Sequence, residues 1–209
     1  MTVISQLSRL ESAGLIRLVQ YEPELEYLFR HALVQDAAYG TLLTTDRKRL
    51  HQAVGEAVET LYADRLDELA AMLARHFQQA GDKDHALEYY TRAGESALAS
   101  FANQEAESLF RSALALPCSQ PQRMQLLSSL GEALYGESRF DEAIETWREG
   151  IKICQRLDDR DGIARLYARS ARAAWYADDT PEGLRLCQEG LEAVAGAPEC
   201  AEQARLFHE

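Results

Sequence analysis

From about Thr45 to the end of the chain, apolar residues recur every three or four positions with Ala, Leu, Glu, Gln and Arg between them. That spacing puts one apolar stripe on each helix, so the region is expected to be helical throughout. Turn and cap residues interrupt the pattern at Gly81-Asp82, Pro117 through Pro121, Glu137-Ser138, Asp158 through Asp161, Asp178 through Pro181 and Gly196 through Pro198. Helices of roughly 10 to 20 residues with short connections follow, a layout that favours antiparallel neighbours. The stretch before Thr45 differs. Thr2 to Ala13 reads as a helix with Ile4, Leu7 and Leu10 on one side, stopped at Gly14. Leu15 to Tyr21 and Leu25 to Phe29 are rich in β-branched and aromatic residues and flank the turn signal Glu22-Pro23-Glu24, which predicts a β-hairpin. Helical spacing returns from His31 to Leu43.

The helical part repeats itself. The clearest copy runs from Met124 to Leu157: Leu127-x2-Leu130-Gly131-x2-Leu134, then Ala143-x3-Trp147. Gly131 and Ala143 are expected where the two helices of a hairpin cross closely, with Leu127, Leu134 and Trp147 filling around the crossing. Weaker copies are Ala70-x2-Leu73-Ala74-x2-Phe77 with Ala86-x3-Tyr90, Tyr90-x2-Ala93-Gly94-x2-Ala97 with Ala106-x3-Phe110, and Tyr167-x2-Ser170-Ala171-x2-Ala174 with Gly183-x3-Cys187. The first two overlap, so the helix from about Asp84 to Ser100 serves both as the second helix of one hairpin and as the first of the next.

This arrangement resembles the tetratricopeptide pattern of a large residue, Leu-Gly, an aromatic, Ala and a second aromatic. The anchors Ala86, Ala106, Ala143 and Gly183 are unevenly spaced along the chain, and Gln155 stands where the family usually has Pro. The resemblance is therefore to long, degenerate tetratricopeptide-like repeats of bacterial regulators. It implies a right-handed α-solenoid over residues 46–209, with Cys200 to Phe207 as the first turns of a further helix and the array cut short there. A non-repetitive helical bundle is the alternative, since it too places small residues at helix crossings.

The N-terminal piece resembles a second element. Leu10-Glu-Ser-Ala-Gly-Leu-Ile-Arg-Leu18, Tyr27-Leu-Phe-Arg-His31-Ala-Leu-Val-Gln-Asp36-Ala-Ala-Tyr39 and Arg47-Lys-Arg-Leu-His51 are similar to a stretch of large bacterial signalling ATPases of the regulated-switch (STAND) type. In that family an ATPase domain is followed by a winged helix and tetratricopeptide-like repeats, often fused to a nucleotide cyclase, kinase or transcription-activator domain. The resemblance implies that residues 1–45 are a winged-helix remnant. It also aligns His31 with the His of a Met-His-Asp motif that meets the β-phosphate of ADP. Arg30 and Ala32 depart from the Met and Asp, and a capping or packing role for His31 is the alternative.

Charge narrows the function. The 209 residues carry a formal charge of −12, yet residues 1–50 hold six acids and six bases, leaving 28 acids against 16 bases on the remainder. A surface of that sign repels phosphate backbones, so nucleic acid is not an expected partner. The helix equivalent to a recognition helix, Val3 to Ala13, has Arg9 as its single basic residue. No stretch approaches the roughly 18 consecutive apolar residues of a membrane span, and the start lacks the layout of a signal peptide. A cytoplasmic protein with no membrane partner is expected. The four cysteines, Cys118, Cys154, Cys187 and Cys200, have no metal or redox spacing and read as reduced, half-buried residues.

No catalytic constellation emerges. Lys48, Lys83 and Lys152 lack the preceding Gly of a phosphate loop. Gly94-Glu-Ser96 is similar to a nucleophile elbow but lies mid-helix, where Ser96 reads as a packing residue. The five histidines, His31, His51, His76, His85 and His208, show no zinc-protease or di-iron spacing. Asp82, Asp158-Asp159 and Asp178-Asp179 fall at helix starts, where carboxylates cap free N–H groups. No cofactor and no metal are expected.

One candidate binding face remains. Arg165, Arg169 and Arg172 form a cationic stripe on one predicted helix, continued by Trp175 and Tyr176. It suits an acidic peptide segment, or it pairs with the nearby Asp158, Asp159, Asp161, Asp178 and Asp179. The reading is a non-catalytic protein or interdomain recognition module of a larger signalling ATPase. The alternatives are a fragment of a cyclase or kinase polypeptide, or the regulatory region of a transcriptional activator. Apolar faces around Leu7, Leu10, Leu206 and Phe207 suggest self-association into a homo-oligomer.

Overall fold

The computed structural model describes residues 3–20 and 25–195. The turn signal at Glu22-Pro23-Glu24, the break at Gly196 through Pro198, His208 and the helix expected from Cys200 to Phe207 lie outside the described residues. The protein is mainly helical with one small antiparallel sheet. Helix α1 (Val3–Ser12) leads into strands β1 (Ile16–Gln20) and β2 (Glu26–Phe29) and helix α2 (Ala32–Thr41). Then follow α3 (Thr44–Leu61), α4 (Leu66–Ala80), α5 (Lys83–Ala99), α6 (Asn103–Leu114), α7 (Gln120–Gly136), α8 (Phe140–Leu157), α9 (Arg160–Tyr176) and α10 (Thr180–Ala193). The strands pair Ile16 with Phe29, Arg17 with Leu28 and Leu18 with Tyr27, and a register shift then brings Gln20 opposite Glu26.

From α3 onward each helix packs against the next. Five of the turns between them share one construction. A residue in the left-handed conformation closes the helix at Gly81, Phe101, Ser138, Asp158 and Asp178. The N–H of the following residue reaches back to a buried turn: Asp82 to Phe77 O (2.9 Å), Ala102 to Ala97 O (2.9 Å), Arg139 to Leu134 O (3.0 Å), Asp159 to Cys154 O (2.9 Å) and Asp179 to Ala174 O (2.9 Å). This closure satisfies carbonyls that the helix end leaves without partners. The next helix starts at once. Asp82, Asp159 and Asp179 accept from the N–H groups of His85 (3.2 Å), Gly162 (2.9 Å) and Glu182 (3.1 Å). Asp159 and Asp179 are therefore the caps expected from sequence, whereas their neighbours Asp158 and Asp178 close the preceding helix instead. Between α6 and α7 the connection is longer, and Ser119 with Gln122 forms a reciprocal capping box ahead of Pro121.

The hairpins are held by aromatic rings set over glycines. The Trp147 indole of α8 is fully buried over Gly131 of α7, where a methyl group would overlap it, and its Nε1–H donates to Ser128 O at 3.0 Å. A Cβ on Gly94 of α5 would come within 2.6 Å of the Phe110 ring of α6, and one on Gly55 of α3 within 2.8 Å of the Phe77 ring of α4. Gly131 thus makes room for a ring, a refinement of the close crossing expected there. At Gly183 of α10 the near neighbour is backbone, Ala171 O, 3.3 Å from a built Cβ. Ala143, Ala86 and Ala106 are fully buried and Tyr90 nearly so, with Tyr90 Oη donating to Gln78 Oε1 at 2.7 Å. One apolar core runs from Ala70 of α4 to Val194. Among the described residues, no helix is long and apolar enough to cross a membrane.

Alanine substitution at two glycines gives opposite signs. Gly40 in α2 faces open space, and Gly40→Ala gains up to about 1 kcal/mol of helix propensity. Gly131→Ala makes the same gain but forces the enclosed indole aside, at a cost of about 1–3 kcal/mol or more, so urea unfolding is expected to show net destabilisation. In the Trp147→Leu background the Gly131→Ala penalty shrinks, because the two sites share one volume.

Candidate functional site

Two surfaces stand out, one built by α7 and α9 and one by the stretch from α1 through α3. On the first, the cationic stripe of α9 faces the preceding hairpin. Arg169 Nε lies 2.8 Å from Glu132 Oε1 and its Nη1 donates to Ser128 Oγ at 2.8 Å. Ser128 thereby serves two partners, since its carbonyl holds the Trp147 indole. Arg172 places its guanidinium 5.4 Å from the centre of the Tyr135 ring, a cation–π contact. Arg165 is half-buried. The stripe thus engages α7 at two of its three arginines, and Arg169 pairs with Glu132 rather than with an aspartate of the neighbouring turns.

The aromatic continuation divides in two. Tyr176 sits edge-on to Tyr135 (5.9 Å between ring centres) and stacks on Phe140 (6.3 Å), while keeping 61% of its surface exposed. Trp175 is equally exposed. Beside this face a cleft of about 840 Å³ opens between α5 and the start of α7. Its charged walls are largely committed: Arg92 pairs with Asp67, His85 Nδ1 with Asp82 Oδ2 at 2.8 Å, and Gln125 Nε2 donates to Glu95 at 3.2 Å. The Asp82 hydrogen bond holds the His85 pKa above the usual histidine value against the opposing effect of burial.

The second surface is apolar. In residues 3–61 only Ile16 and Gly55 are buried among the described residues. Thirteen of the nineteen large apolar side chains exposed among the described residues lie there, including Val3, Ile4, Leu28, Phe29, Leu33, Leu43 and Leu61. Leu33 is 81% exposed, Leu43 69% and Leu61 72%. Leu10, one of the two N-terminal residues expected to be uncovered, is exposed and Leu7 is half-buried; Leu206 and Phe207 lie outside the described residues. Exposed apolar side chains continue well beyond those two positions, through β1, β2, α2 and α3. The charge of this stretch, eight acids against six bases in residues 3–61, is closer to balance than that of the acidic remainder.

His31 is exposed and begins α2 with extended backbone, its side chain making no capping hydrogen bond. Ser96 is exposed on α5 rather than packed. Cys154 is buried, and burial together with the neighbouring Asp159 carboxylate pushes its thiol pKa up to about 11, so it stays protonated. Among the described residues, no group of three or more His, Cys, Asp or Glu side chains converges as metal ligands would.

Sequence inspection missed the α3–α4 hairpin and the pairing of His51 with His76, whose Nδ1 atoms lie 3.0 Å apart. The interval from Gly55 to Phe77 is longer than the two equal intervals from Gly94 to Phe110 and from Gly131 to Trp147. Phe77 stands 11 residues after the start of α4, whereas Phe110 and Trp147 stand seven after the starts of α6 and α8, so the ring lies about one turn deeper and the signal is displaced. No family model matches the chain, and no curated protein matches it.

The two roles within α9 separate by stability. Arg169→Ala leaves the half-buried Glu132 without its cation and is expected to cost about 1–3 kcal/mol. Trp175→Ala removes a ring from solvent and stays within about 0.5 kcal/mol. Equal unfolding midpoints for the two variants would contradict this assignment.

Proposed function

We propose that the chain is a non-catalytic recognition module, built of tetratricopeptide-like helix hairpins in a solenoid, that docks to other domains of a larger signalling ATPase in the cytoplasm. The observation that carries this reading is the apolar surface of residues 3–61. Monomeric proteins rarely leave large apolar patches uncovered, and such patches serve association; thirteen exposed apolar side chains in this stretch support such a patch here. The hairpins supply the second support. Gly94, Ala106 and Phe110 are separated by the same intervals as Gly131, Ala143 and Trp147, a glycine followed by a small residue and then an aromatic one turn further on. That is the spacing the tetratricopeptide resemblance rests on. Three described cysteines, Cys118, Cys154 and Cys187, are free thiols, which suits a reducing compartment.

Of the two surfaces, the apolar one is the better docking site. Arg169 and Arg172 already engage Glu132 and Tyr135, so an acidic peptide on the α9 stripe would have to compete with contacts that hold α7 and α9 together. On the N-terminal face, Leu33, Leu43 and Leu61 are exposed to solvent. With a net charge of only −2 over residues 3–61, this face selects partners by apolar shape, and its association is expected to depend little on salt.

Sedimentation velocity and titration against the remaining domains of the parent polypeptide test this. The unaltered chain is expected to bind those domains, or itself at high concentration, with an affinity that changes less than about threefold between low and physiological salt. Leu33→Glu with Leu43→Glu weakens the association at least about tenfold while leaving the helical circular dichroism intact. Association that survives this double change, or nucleotide turnover by the purified chain, would overturn the reading.

A further inference from the structure

Three side chains from three successive helices form a hydrogen-bonded chain near the start of the hairpins. Tyr39 Oη of α2 lies 2.9 Å from His51 Nε2 of α3, and His51 Nδ1 lies 3.0 Å from His76 Nδ1 of α4. The two imidazole planes are inclined at 54° with ring centres 5.0 Å apart, so the rings meet through their nitrogens. Helix α2 buries no residue of its own. A link of this kind therefore matters to where α2 sits.

The proton count of the chain is restricted. With both imidazoles neutral, Tyr39 O–H donates to His51 Nε2, and His51 Nδ1–H donates to His76 Nδ1. The mirror arrangement, with His76 Nδ1–H donating to His51 and His51 Nε2–H donating to Tyr39, is equally complete. One added proton is also accommodated, since a doubly protonated His51 donates at both ends. Two added protons are not. Both Nδ1 atoms would then carry hydrogens and point them at each other across 3.0 Å, with two like charges behind them.

We propose that Tyr39, His51 and His76 form a pH-operated latch that holds α2 against the α3–α4 hairpin while the two imidazoles carry at most one extra proton, and releases it when both are protonated. The proposal holds whatever partner the N-terminal face takes. The groups around the latch do not neutralise it. Arg47 of α3 lies over the Tyr39 ring, 5.2 Å from its centre. From α5, His85 stacks on Phe77 but is paired with Asp82, and Tyr89 donates to Glu59 of α3. Gln52 Nε2 donates to Glu56 Oε1 at 2.9 Å. Burial, and then the charge of His51, hold the His76 pKa below the usual histidine value.

The sign follows from linkage. A histidine whose folded pKa is depressed binds more protons when unfolded, so its region loses stability as pH falls below about 6.5 and the loss levels off below the folded value. His85 acts in the opposite direction: its contribution is full below about 6.5 and is lost as pH rises through its raised folded value. The two are separable by region and by variant.

Histidine Cε1–H titration and amide hydrogen exchange on the full chain test the latch. His76 is expected to titrate below the usual histidine value. Between about pH 7 and about pH 5, exchange in residues 32–61, corrected for the intrinsic rate, rises about tenfold or more while α7 and α8 do not change. His76→Asn keeps an acceptor at the Nδ1 position but takes no proton, and its exchange is flat with pH; His85→Gln responds as the unaltered chain does. Tyr39→Phe, which leaves the imidazole pair intact, exchanges faster in α2 already at about pH 7. A His76 that titrates at or above the usual histidine value, an unchanged acid response in His76→Asn, or an α2 unaffected by Tyr39→Phe would each overturn the proposal.

Discussion

The protein rests on one local fit: an aromatic ring from the second helix of a hairpin lying across a glycine of the first. The fit recurs at Gly55 with Phe77, Gly94 with Phe110 and Gly131 with Trp147. Each glycine sacrifices about 1 kcal/mol of helix propensity relative to alanine. In exchange a ring packs close against the helix, where it removes far more apolar surface from water than a methyl would. Because the ring belongs to the next helix, the fit fixes both the separation of the pair and its register. At Trp147 it also fixes orientation, since the indole N–H has one acceptor, Ser128 O, and the same serine's hydroxyl receives Arg169 from the following hairpin.

The turns complete that constraint. Left-handed closure at Gly81, Phe101, Ser138, Asp158 and Asp178 places the next helix start one residue later, and the small residue Ala86, Ala106, Ala143 or Gly183 follows five positions after four of those closures. The steps from Gly81 to Phe101, from Ser138 to Asp158 and from Asp158 to Asp178 are equal, and only that from Phe101 to Ser138 is longer. The exception spans the α6–α7 connection, which uses a capping box instead. The structure is therefore regular by turn and irregular by simple period.

That difference explains what was readable beforehand. The helices from α4 onward, the β-hairpin and the Gly131–Trp147 hairpin follow from apolar spacing and from small residues at fixed offsets. Phe101 was not among the turn signals, although the repeat ends a helix at about Ser100, because an exposed phenylalanine in a left-handed position carries no turn signature of its own. Nor was the break at Tyr62 through Arg65, which has neither Gly nor Pro. The arginine stripe was legible as a pattern, but its partners Glu132 and Tyr135 lie on another helix, beyond the reach of local spacing. His51 and His76, on different helices, meet only because the α3–α4 hairpin closes. The extent of the apolar face was hidden for a related reason: Leu33, Leu43, Leu50 and Leu61 have ordinary helical spacing, and nothing in sequence shows that no later helix covers them.

Structure and proposed role thus divide along the chain. The acidic remainder builds a continuous core and holds Arg169 and Arg172 against α7, while the first 61 residues, closer to neutral, offer apolar surface and a histidine link to the hairpins. The fit at Gly131 is the part on which both depend. Solvent exchange of the two indole N–H groups, followed by ¹⁵N-resolved NMR, tests it most directly. The Trp147 proton is expected to exchange only with global unfolding, and that of the exposed Trp175 at close to the free rate. Rapid exchange at both indoles would show that Trp147 does not lie over Gly131, and that the hairpins are held in some other way.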